Sequence, residues 1–74
     1  IEAIQVTEGN HEEVRGFANN QPVIFGDKFN YHDIETLEGT MFFEDGDYLI
    51  KNQTGECYPC RKDIFEETYK LLED

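Results

Sequence analysis

The sequence predicts an α+β fold: a small antiparallel β-meander of about four to five strands, a short helix after the first strand, and a C-terminal helix packed on the sheet. Three observations carry that expectation. Residues 22–60 are rich in aromatic and β-branched side chains and are broken by short polar turns. Two other segments, residues 10–20 and 63–72, carry apolar residues at helical spacing. The chain has 74 residues, enough for a single small domain, residues 1–74, with one modest core.

Each element has a local reason. The opening IEAIQVT alternates apolar Ile4 and Val6 with polar Gln5 and Thr7, which suits a strand. NHEEVRGFANN then reads as a short helix: Val14, Phe17 and Ala18 make one apolar stripe, Asn10 stands in N-cap position, and Glu13 completes a capping box. Gly16 weakens that helix by roughly 1 kcal/mol. Glu38-Gly39 is expected to close a hairpin between IETL and TMFF. EDGD, residues 44–47, turns the chain into the strand YLIK, and NQTG, residues 52–55, turns it again into ECYPC. Consecutive hairpins of this kind make a meander, in which Tyr48 and Ile50 share one face and Leu49 takes the other. Asp63 with Glu66 reads as a second capping box, opening a helix whose Ile64, Phe65, Thr68, Leu71 and Leu72 fall on one side, flanked by Tyr69.

Charge narrows the function classes. Seventeen Asp and Glu against six Lys and Arg give a formal net charge of -11. Such a surface repels phosphate backbones and anionic membranes, so direct nucleic-acid binding and membrane association are not expected, and a protein partner of basic character is favoured. The acidity also serves solubility. A sharper reading has it fill the nucleic-acid-binding groove of another protein by charge complementarity. No stretch approaches the roughly 20 apolar residues of a membrane helix, and no charged leader precedes an apolar run. Two cysteines without a secretory leader suit a reducing cytoplasm. The chain opens on Ile1 rather than Met, so an upstream piece is expected.

The stretch GDYLIKNQTGECYPCRKDIFEETYKLLED resembles the C-terminal end of a family of small, mostly uncharacterised phage and prophage proteins. The matching positions are Gly46, Asp47, Tyr48, Leu49, Ile50, Lys51, Gly55, Glu56, Tyr58, Pro59, Cys60, Asp63, Ile64, Phe65 and Tyr69. IEAIQV is similar to the family's first strand. Cys57 stands where the pattern has an aromatic residue and Lys62 where it has Pro, so Cys60 belongs to the motif and Cys57 reads as a local replacement. The resemblance implies a bacterial host cell and a structural role for these positions, without an activity.

Candidate chemistry is sparse. Cys57 and Cys60 have the Cys-x-x-Cys spacing of redox dithiols and half zinc sites. In an extended segment they point to opposite faces with Cα atoms about 10 Å apart, beyond the roughly 7 Å limit of a disulfide. Cys60 is expected beneath the C-terminal helix as a small apolar side chain. His11 and His32 complete a two-Cys, two-His set but lack the close spacing of a zinc finger; His11 is expected in the first helical turn and His32 in a polar loop or strand edge. Glu44, Asp45 and Asp47 read as turn chemistry around Gly46 rather than a calcium loop. Phe42, Phe43, Tyr48, Tyr58, Phe65 and Tyr69 are expected to pack a core, with some of them free to cover a homodimer contact. No catalytic, cofactor-binding or metal-binding residue is therefore assigned. Three functions remain: a non-enzymatic accessory protein working through protein contacts, an acidic inhibitor of a host nucleic-acid enzyme, and a small Cys-x-x-Cys redox or zinc module.

Overall fold

A computed structural model describes residues 2–26 and 31–69. The chain forms β1 (Glu2–Gln5), α1 (His11–Ala18), β2 (Val23–Ile24), β3 (Tyr31–Thr36), β4 (Gly39–Glu44), β5 (Tyr48–Lys51), β6 (Cys57–Cys60) and α2 (Lys62–Tyr69). The α+β class and both helices agree with expectation. The single meander does not: the strands form two three-stranded antiparallel sheets, ordered β1-β5-β6 and β2-β3-β4. β4 and β5 do not pair. Turn 44–47 between them carries the chain from the second sheet to the first, which is why EDGD is not a hairpin. No helix among the described residues is long and apolar enough to cross a membrane.

Period-two burial defines the faces. In β3, His32 and Ile34 are buried while Tyr31 and Glu35 are exposed; in β4, Phe43 is buried while Phe42 and Glu44 are exposed. The core comprises Val6, Val14, Ala18, Val23, Ile34, Phe43, Leu49 and Cys57, with Ile4, Phe17, Phe25 and Met41 packed against it. Val14 and Ala18 reach this core from α1, as the helical stripe requires. Leu49 is buried and its neighbours Tyr48 and Ile50 are not, as the alternation predicts.

One side chain and one backbone segment join the layers. The Gln21 amide donates to the carbonyls of Glu35 (3.0 Å) and Cys57 (2.9 Å), and its Oε1 accepts the Cys57 N–H at 2.6 Å. It thus stands in for a backbone partner between β3 and β6. Val6 accepts the Gly46 N–H at 2.6 Å and donates to the Asp47 carbonyl at 2.8 Å, pinning the end of β1 to turn 44–47. Gly46 adopts φ 102° there, in the left-handed region that favours glycine.

Several local expectations are corrected. The β3–β4 loop is Leu37-Glu38, with Thr36 opposite Gly39, one residue earlier than Glu38-Gly39. The Thr36 hydroxyl accepts the Glu38 N–H and donates to the Gly39 carbonyl, which fixes the earlier position. Asn10 does not cap α1 with its side chain; its amide closes the preceding loop by bonding the Gln5 carbonyl and the Thr7 N–H. α2 starts before Asp63, because the Lys62 N–H is accepted by Asp47 Oδ1 at 3.0 Å. Ile64 is 53% exposed rather than packed, and no described residue of α2 is buried. The helix meets the sheet through Phe65, stacked on Tyr48 with centroids 3.8 Å apart, and through Glu66, which accepts from the Tyr48 hydroxyl. Leu71 and Leu72 lie outside the described residues.

Candidate functional site

Of the motif positions, Gly46, Asp47 and Asp63 line one cleft, while Tyr58, Pro59 and Cys60 stand apart from it. Asp47 accepts the N–H groups of Glu44 and Lys62, so it ties turn 44–47 to the start of α2. Tyr58 bonds Glu56, which pushes its phenol up to about 12. Phe65 lies between Tyr48 and Tyr69 as a ring stack. Gly55 turns the β5–β6 hairpin at φ 92°. Pro59 sits opposite Leu49.

The two cysteines of β6 differ in burial. Cys57, read as a local replacement, is fully buried in the core and its thiol faces the Phe17 carbonyl at 3.8 Å. Cys60, expected beneath α2, is only half-buried. Both thiols are free. Burial pushes the Cys57 thiol up; burial, then the charges of Asp47 and Asp63, push the Cys60 thiol up. Redox dithiols need the opposite shift.

The structure instead gathers three residues that the sequence scatters. His11 opens α1, His32 lies in β3, and Asp45 lies in turn 44–47. Asp45 Oδ1 is 2.8 Å from Nε2 of His11 and 2.8 Å from Nε2 of His32. His32 is 1% exposed, which corrects its assignment to a loop or edge: β3 is the central strand of its sheet, and period two puts His32 on the face of Ile34. Phe25 stacks on His11 at 4.1 Å and lies edge-on to His32, while Phe43 lies edge-on to His32 from the other strand. Partial burial raises the Asp45 carboxyl, but the hydrogen bonds from His11 and His32, then their charges, hold it below its ordinary value.

The donor set of two imidazoles and a carboxylate, with ligand atoms within 4.8 Å of one another, is one that metals use. In this arrangement both ring nitrogens of His32 are engaged within the protein. Its Nδ1 accepts the Gly26 N–H at 3.1 Å, so the ring proton sits on Nε2 and points at Asp45. A metal-binding imidazole needs the reverse, a bare Nε2 with Nδ1–H donated outward. The cluster is a hydrogen-bonded triad that clamps α1, β3 and the inter-sheet turn together. Among the described residues, no hydroxyl or thiol is hydrogen-bonded to either ring.

Outside the triad lies an exposed face. Ile24, Tyr31 and Phe42 are 62%, 51% and 56% exposed on the outer side of the second sheet. Tyr31 and Phe42 stack at 5.4 Å and 8°. Sequence reasoning put Phe42 in the core; the β4 alternation buries Phe43 and turns Phe42 outward. Both rings also line a cleft of about 600 Å3 that runs toward α2, where five carboxylates face two cations, Arg61 and Lys62. Those cations are engaged, with Asp63 at 3.5 Å and Glu66 at 3.0 Å. Comparison of the chain with protein-family models, with characterised proteins and with solved structures finds no match.

Proposed function

We propose that the chain is a non-enzymatic accessory domain that acts through protein contacts, with the outer face of the second sheet as its contact surface. The observation that carries this reading is the exposed stack of Tyr31 and Phe42 beside exposed Ile24. Contiguous exposed apolar surface rimmed by polar groups marks interaction sites, and aromatic residues are enriched at contact cores. Each is already about half covered, so covering the rest contributes roughly 1–1.5 kcal/mol per side chain. The triad supports the same reading, because it fixes His32 on the inner face and so holds its neighbour Tyr31 on the outer one. The motif's likeness to phage and prophage proteins supports a bacterial cytoplasmic setting. Carboxylates lie on β1, α1, β3, β4 and α2, and the five that gather in the cleft share it with Arg61 and Lys62, so the inhibitor reading rests mainly on total charge.

The test is retention of bacterial proteins on the immobilised domain, comparing wild type with a Tyr31→Ser/Phe42→Ser variant of unchanged circular dichroism. A discrete protein held by wild type and lost by the variant is expected. An identical retained set would overturn the assignment of this face.

A further inference from the structure

Resting on that reading, we infer that this face receives a basic, arginine-bearing segment of the partner, with the guanidinium against the Tyr31–Phe42 rings and between the carboxylates of Asp33 and Glu44. The strand register carries the inference. Tyr31 stands directly opposite Glu44, and Asp33 directly opposite Phe42. These positions make a chequered square on one sheet face: the rings touch along one diagonal, and the carboxylates occupy the other. Ile24, also opposite Asp33, extends the apolar row. Neither Asp33 nor Glu44 makes an ion pair among the described residues.

Charge complementarity selects the occupant. A second copy would set Asp33 and Glu44 against like charges on a chain of net charge -11. A nucleic acid would find stacking rings but meet carboxylates where its phosphates need cations. A cation gains from both elements of the square. Arginine suits it better than lysine, because a planar guanidinium stacks on a ring while its edge bonds a carboxylate.

The experiment is an NMR titration of the domain with a short glycine-rich peptide carrying arginines, against the same peptide carrying citrulline, the neutral isostere. Citrulline should weaken binding about tenfold or more, since a desolvated cation–π contact and a charged hydrogen bond are both lost. Asp33→Asn/Glu44→Gln should weaken the arginine peptide as much, whereas Glu12→Gln/Glu13→Gln on α1, the same charge change elsewhere, should leave it unchanged. Equal binding of the two peptides, or equal loss in the α1 variant, overturns the inference. If the peptide fails while retention still depends on Tyr31 and Phe42, the arginine assignment falls and the contact face stands. If retention is independent of those rings as well, both fall.

Discussion

Replacing His32 by leucine should remove most of the domain's stability, although leucine is apolar and fits a buried position in size. The imidazole is 1% exposed, accepts the Gly26 N–H at 3.1 Å and donates to Asp45 at 2.8 Å. Leucine leaves the Gly26 N–H without its acceptor, at about 1–3 kcal/mol, and takes one charged hydrogen bond from Asp45, at about 1.5–3 kcal/mol. The added apolar burial returns about 1 kcal/mol. The net loss is about 1.5–5 kcal/mol, against a total margin of about 3–5 kcal/mol for a core of this size. His11→Leu should cost less, about 1 kcal/mol, because His11 is 28% exposed and loses a single hydrogen bond whose partner retains His32. The assay is urea unfolding followed by circular dichroism, with the midpoint shift converted at constant slope. A His32→Leu midpoint near that of wild type, or a larger loss for His11→Leu, would refute the triad as the clamp between the layers.

Three further outcomes are expected. Asp45 titrates below its unfolded value, so its stabilising contribution is complete above about pH 4 and is lost as pH falls through the folded value; Asp45→Asn should lower stability at neutral pH and flatten the acid limb of a pH-resolved unfolding series. Both thiols are pushed up, so alkylation at pH 8 should be slow at Cys60 and confined to unfolded molecules at Cys57, read by intact mass. Gln21→Ala removes three hydrogen bonds between β3 and β6, one of them from the Cys57 N–H, and should cost about 2–3 kcal/mol with faster hydrogen exchange at the Cys57 amide.

Local patterning made the elements legible. Alternation gave β1 and the two faces of β5, and the helical spacing of Val14, Phe17 and Ala18 placed α1 on the core. The division into two sheets was not legible, because a turn such as EDGD has the same composition whether its flanking strands pair or part. What parts them is the pair of bonds from Val6 to Gly46 and Asp47, contacts some forty residues apart in sequence. The triad was half-legible. YHDIET puts His32 on the face of Ile34, which already predicts a buried imidazole needing partners. Its partners were hidden, since His11 reads as a solvent-facing helix start and Asp45 as one turn acid among several. The outward Phe42 was open to the same argument: adjacent Phe42 and Phe43 cannot share a strand face. The burial of Cys57 was not legible, because the pattern says which residue is usual there and not which side of the strand it occupies.

The most direct measurement is site-specific photo-crosslinking. A benzophenone amino acid in place of Phe42, exposed on the second sheet, is compared in a bacterial lysate with one in place of Tyr58, on the first sheet. A discrete adduct with another protein is expected from position 42 and none from position 58. Adducts from position 58 with none from position 42 would contradict it.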